Sequence, residues 1–237
     1  MQVPNVTIDE ARALVAEPKL WPRIRAFLWG FAQMLDPARV AAAFPPEAAG
    51  LLRAPYSPRF AKAILAQLGV APLFYDFPAA NGSRLLLLPR EDYEAIARWL
   101  GFLLYAPRVR TVLNGAQVRA LKRLLPGVYP EGLNYTAYFT KWAACLEAVR
   151  AALPEVPDPA ADVEGFCASV RQAGMRMLAS LLASVPEAVR ARQCLRFPVA
   201  DEPAFAPLPG NALSADRLDL LFLLLKLRFP EANDLCS

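Results

Sequence analysis

The chain contains no histidine, which closes imidazole acid–base catalysis and imidazole metal ligation to it. Its four cysteines, Cys145, Cys167, Cys194 and Cys236, are widely spaced and form no CxxC pair, so no zinc site and no other metal is assigned. No serine stands in a GxSxG elbow, and neither a GxGxxG nor a GxxxxGK[ST] phosphate loop occurs. No catalytic residue and no cofactor is therefore assigned. Adjacent carboxylate pairs occur, such as Glu91-Asp92 and Asp201-Glu202. The first suits the positive end of a helix dipole, and the second reads as an exposed loop. Buried carboxylates leave no mark in a sequence, so a helical enzyme acting on a small ligand stays open as one alternative.

The side chains with binding chemistry form a basic set. Arg108 and Arg110 stand in a short turn, and Asn114 follows as a helix cap. Arg119, Lys122 and Arg123 come next, mostly on one side of the following helix. Guanidinium forks pair with carboxylates and phosphates, and arginine is enriched among interface hot spots. The plain reading of the same residues is a solvated helix flank. Downstream, Tyr135, Tyr138, Phe139 and Trp142 lie beside Lys141, a pattern that also serves stacking on single-stranded nucleic acid. Their helical spacing favours a core stripe, and a helical nucleic-acid-binding module is the second alternative.

The elements that position this set run from Pro89 to Tyr135. Tyr93, Ile96, Ala97, Leu100 and Leu104 recur at steps of three and four, which predicts one buried helical face. Pro107 predicts a bend near Ala106 and a turn from Arg108 to Leu113. Asn114 and Gln117 then predict a cap with a reciprocal side chain three residues on. Val118, Leu121 and Leu125 form the inner face of the new helix, joined by Ala120 and Leu124. Pro126 and Gly127 end it.

The remaining chain is punctuated in the same way. Thr7 and Glu10 form a capping box ahead of a helix from Ile8 to Glu17. Trp21-Pro22 opens a second helix with Ile24, Phe27, Leu28, Phe31 and Leu35 on one face. Asp36-Pro37 and Ser57-Pro58 are cap-and-start pairs, with a helix from Pro46 to Arg53 between them. Residues 69–83 read as a loop whose Phe74, Tyr75 and Phe77 tuck inward. Leu85 to Leu88 is either a short strand or a lead into the central helix. Leu153 to Pro159 reads as an exposed linker, and Asp158-Pro159 as the start of a long helix with Phe166, Val170, Ala173, Met177 and Leu181 inside. Ser184 and Glu187 predict a further capping box, and Ser214 caps a last helix. That helix is apolar on nearly every side from Leu218 to Leu227, so it is buried in its own core or in a partner's groove.

The fold class expected is all-α: a compact bundle of many short proline-punctuated helices with at most a minor strand pair. The chain of 237 residues holds 23 prolines, is 56% apolar and 20% charged, and carries a net charge of +4. Such a chain can bury a core. It is expected to form a single helical domain, 1–237, with a soft subdivision into 1–80 and 84–237. The charge is modest and spread out, read mostly as solvated helix faces, and does not demand nucleic acid. The N-terminus has no apolar h-region, and no apolar run reaches the ~20 residues of a membrane span. A cytoplasmic compartment with reduced thiols is expected.

From Ala97 to Leu125 the chain resembles the core of the K-component family of bacterial type III secretion. The matching residues are Leu100-Gly101, Arg108, Arg110, Asn114-Gly115, Gln117-Val118 and Ala120-Leu121. A second likeness is Leu225-Lys226-Leu227-Arg228-Phe229-Pro230, and a third is Asp36-Pro37-Ala38 with the following Phe44-Pro45. The absence of histidine and the long loop from Leu68 to Ser83 depart from the family pattern. The resemblance implies a cytoplasmic sorting-platform adaptor, peripheral to the inner membrane through its partners and part of a protein-transport apparatus of virulence. Its partners would be the cytoplasmic domain of the inner-membrane ring protein and the pod protein that carries the export ATPase complex. It implies no enzyme activity, no nucleic acid and no direct membrane insertion.

Overall fold

The computed structural model describes residues 2–3, 7–45, 47, 58–70, 73–78, 82–129, 132–133, 140–209, 221–222, 225 and 228–229, with the backbone alone at 2–3, 58–62 and 140–145. The helices in chain order are α1 (Ile8–Leu14), α2 (Trp21–Leu28), α3 (Pro37–Ala43), α4 (Pro58–Gln67), α5 (Arg90–Val109), α6 (Gly115–Leu124), α7 (Thr140–Ala151), α8 (Val163–Leu181) and α9 (Glu187–Leu195). Two short strands, β1 (Gln2–Val3) and β2 (Phe74–Tyr75), pair antiparallel with Gln2 opposite Tyr75. The fold is all-α, as the caps and the helical periodicity predicted. The chain forms two compact units. The first comprises Met1–Leu88, Ser184–Glu202 and Leu235–Ser237, the second Pro89–Ala183 and Pro203–Asp234.

In the first unit the Thr7–Glu10 capping box forms: the Thr7 amide donates to Glu10 at 2.9 Å, and the Glu10 amide donates to the Thr7 hydroxyl at 3.3 Å. α1 stops at Leu14 rather than Glu17, because Glu17 precedes a proline and is held extended. The face expected from Ile24 to Leu35 is split. α2 ends at Leu28 and a 3-10 turn carries Phe31–Met34, yet Ile24, Phe27, Leu28, Phe31 and Leu35 are all buried. Asp36 caps α3 by accepting the Ala38 amide at 3.0 Å. The expected helix from Pro46 to Arg53 and the Ser57 cap lie outside the described residues. Phe77 tucks inward and packs edge-on against Phe27 at 5.5 Å and Tyr75 at 5.0 Å. Its φ of 50° is unusual for a bulky residue, and Arg84 Nε donates to its carbonyl at 2.9 Å. Leu85, Leu86 and Leu87 lie on a buried 3-10 turn, neither strand nor helix lead.

α9 is tied into this unit by arginines that sequence reading had placed in solvent. Arg39, Arg84, Arg192 and Arg196 are buried. Arg192 donates to the Leu28 carbonyl at 2.7 Å, at the end of α2 where helix carbonyls lack partners. Arg196 donates to the carbonyls of Leu86 at 3.1 Å and Leu88 at 2.8 Å, and Arg39 donates to that of Phe197 at 2.6 Å. A buried cation is tolerated where backbone carbonyls accept hydrogen bonds from it in this way. The capping box expected at Ser184 does not form. The helix starts at Glu187 with Pro186 as its cap residue, so exposed Ser184 stands two positions too early.

In the second unit α5 runs on through Pro107 to Val109 rather than ending near Ala106, and gives up the intrahelical hydrogen bond that an amide at position 107 would make. The Arg110 amide still reaches the Ala106 carbonyl at 3.1 Å. Asn114 caps α6 through the Ala116 amide at 2.8 Å. Gln117 does not reciprocate; its side-chain amide donates instead to the Ala160 carbonyl. α8 begins at Val163 rather than Asp158. Asp158 accepts from the Ala160 amide at 2.9 Å to cap a turn, and Asp162 caps the helix itself through the Gly165 amide at 2.9 Å. The expected linker is not wholly exposed, since Val156 and Pro159 are buried.

The predicted stripe of α8, from Phe166 to Leu181, is buried and packs along α5. Of the apolar stretch from Leu218 to Leu227, Leu221, Phe222 and Leu225 are described; the two leucines are buried and Phe222 is half-buried. Ser214 lies outside the described residues, as do Tyr135, Tyr138, Phe139 and the side chain of Trp142.

Candidate partner-binding face

The end of α5, the turn after it and the outer side of α6 carry the predicted basic set. Arg108, Arg110, Asn114, Arg119, Lys122 and Arg123 are all exposed, while Leu121 and Leu125 face inward. Several of these side chains are braced. Arg108 donates to the Val156 carbonyl at 3.3 Å, and Arg110 donates to the Leu133 carbonyl at 2.7 Å. The Thr111 hydroxyl closes the turn by donating to the Arg108 carbonyl at 2.7 Å. Buried Val112 anchors the same turn from beneath. Lys122 lies 6.0 Å from the centre of the Tyr129 ring. Arg123 stands 3.9 Å from Glu164, an exposed pair that is worth little to stability.

One residue of this face was not singled out in the sequence. Leu113 is 89% exposed, the most exposed of the large apolar side chains described. It occupies the position before the Asn114 cap, where an apolar residue commonly staples onto the fourth residue of the helix, here Val118. At that exposure no such staple forms. Position before a cap was the available signal, but it predicts packing and so pointed the wrong way.

The chemistry on offer is recognition: fixed cations, an amide and one apolar side chain on a braced turn. Among the described residues no group of three or more metal-ligating side chains gathers. Cys167 and Cys194 are free thiols, and Cys145 and Cys236 lie outside the described side chains. Burial pushes the Cys167 thiol up to about 11, with Asp162 and Glu164 adding to the shift. Burial also raises Cys194. Both stay protonated near neutrality and are poor nucleophiles. Glu91 and Asp92 lie in the first turn of α5 as predicted. Asp201 and Glu202 lie on a 3-10 turn, Glu202 at 4.0 Å from Arg39. No helix among the described residues is long and apolar enough to cross a membrane.

A protein-family model matches residues 53–237, well over half of the chain, and places it among the components of type III protein secretion. The chain belongs to the family of YOP proteins translocation protein K (YscK). No curated protein and no solved structure matches it. The basic face lies within the matched residues, whereas α1, α2 and α3 precede them.

Proposed function

We propose that the chain is the cytoplasmic adaptor of a type III secretion sorting platform. It joins the cytoplasmic domain of the inner-membrane ring protein to the pod protein that carries the export ATPase complex, and it performs no catalysis. Family membership supports the setting. One structural observation supports the mode of action: exposed Leu113 stands on a turn braced by Arg108 and Arg110, next to the cations of α6. An exposed apolar side chain on a turn that also carries arginines suits a partner surface that is acidic around an apolar pocket. A braced turn also loses little freedom on docking.

The test separates binding from folding. Arg119 and Lys122 are exposed, so the double variant Arg119→Glu, Lys122→Glu should melt as the parent does. Like charges facing each other across an interface cost several kcal/mol, so co-precipitation with the purified ring-protein domain or pod protein should drop at least about tenfold. An unchanged melt with unchanged binding to both proteins removes this flank from the interface.

A further inference from the structure

α2 bears Trp21 and Arg25 one turn apart, and Trp29 follows one turn later at its C-terminal cap. Residues at this spacing share a face. Ile24, Phe27 and Leu28 of the same helix are buried in the first unit and anchor it there. The Trp21 and Trp29 rings lie 5.8 Å apart and are tilted by 56°. Both tryptophans are half-buried, and Arg25, one turn from each, is exposed. The result is an aromatic pair held ready at the surface and edged by the Arg25 guanidinium.

Arg23 and Arg25 make no ion pair among the described residues. The segments packed most closely on α2 are the 3-10 turns Pro18–Leu20, Phe31–Met34 and Ser83–Leu87, and none contains a carboxylate. The neighbouring acid is Glu17, which is already engaged by Arg84 and by Lys19 at 3.6 Å.

We propose that this face docks an acidic segment of a partner protein. The segment would set an aromatic or apolar side chain against Trp21 and Trp29 and place a carboxylate on Arg25. Tryptophan and arginine are the side chains most enriched where binding energy concentrates, and a guanidinium accepts a carboxylate through two parallel hydrogen bonds. A lipid surface fits less well. Among the described residues, the exposed large aliphatic side chains of the first unit are Ile8, Leu14 and Val199, none of them on α2. The half-covered tryptophans leave little apolar area to insert. This face belongs to the first unit and lies outside the residues matched to the YscK family, so it shares no residue with the adaptor face proposed above.

The experiment uses the full chain and three labelled 12-residue peptides read by fluorescence anisotropy. One alternates Asp and Glu around a central Leu-Phe pair, one carries Ser in place of that pair, and one carries Lys in place of each acid. The acidic Leu-Phe peptide should bind at least tenfold more tightly than either control. Arg25→Glu should weaken it at least tenfold with an unchanged melt, because Arg25 is exposed. The variant Arg119→Glu, Lys122→Glu should bind it as the parent does, which separates this face from the one on α6. Equal binding of all three peptides, or an Arg25→Glu variant that binds as the parent does, overturns the proposal. Arg25-dependent binding to vesicles of anionic phospholipid without binding to the acidic peptide also overturns it, in favour of a membrane.

Discussion

Gly101 and Gly174 meet where α5 and α8 cross, and each occupies ground that a methyl group would take from the other helix's backbone. A Cβ on Gly101 would overlap the Val170 carbonyl and stand 3.1 Å from the Gly174 amide nitrogen. A Cβ on Gly174 would overlap the Ala97 carbonyl. Neither glycine is needed for a left-handed backbone; both are needed for close approach. The two long helices of the second unit, which carry Arg108 and the Asp162 cap at their ends, therefore take their spacing from this pair.

Gly174→Ala should accordingly destabilise the protein even though alanine is the better helix former. The intrinsic gain of up to about 1 kcal/mol is outweighed by overpacking against backbone, which costs about 3 kcal/mol. Urea denaturation followed by circular dichroism would measure it. A neutral or stabilising substitution would show that the helices can separate freely at this crossing.

Leu113→Ser separates the two readings of the exposed leucine. Nothing covers this side chain, so stability should change by less than about 0.5 kcal/mol. If Leu113 is an interface anchor, affinity for the ring protein or the pod protein should fall by about 2 kcal/mol, seen by calorimetry. Full affinity would leave Leu113 as a bystander.

Arg110→Ala should act differently from Arg119→Ala. Arg110 donates to the Leu133 carbonyl, and its loss should cost about 1 kcal/mol of stability, whereas Arg119 should cost almost nothing. Paired melts of the two variants check this.

Cys167 should resist alkylation at pH 8. With its thiol pushed up to about 11, the thiolate fraction is about a hundredfold below that of an ordinary cysteine. Peptide-level mass spectrometry after iodoacetamide treatment should show its labelling rise steadily from pH 8 to pH 11. Labelling at the rate of a free thiol at pH 8 would mean that the site opens.

Glu17 links the first unit to acid. Its carboxyl is held below the ordinary carboxylate range, chiefly by the hydrogen bond from Arg84. A lowered folded pKa contributes stability that is present above the unfolded value and is lost as the pH falls through the folded one. Glu17→Gln should therefore flatten part of the acid limb of a stability profile below about pH 4.5 and leave its shape near neutrality unchanged. An acid limb of unaltered slope would remove this pair from the linkage.

The sequence by itself determined what is settled within a few residues. Thr7 and Glu10, Asp36 and Asn114 cap their helices as read, because a cap needs only an amide two or three positions away. The apolar stripes of α5, α6 and α8 turned inward for the same local reason, the 3.6-residue period. Tertiary structure decided whatever depends on a partner far along the chain. It drew Gln117 away from its cap towards Ala160, and buried Val156 and Pro159 in a segment that reads as linker. It also took Arg39, Arg192 and Arg196 out of water by supplying carbonyls from Phe197, Leu28 and Leu88, and left Leu113 uncovered where local pattern predicts packing. A guanidinium reads the same in solvent and in a core, and only the arrival of distant backbone acceptors decides which environment it can bear.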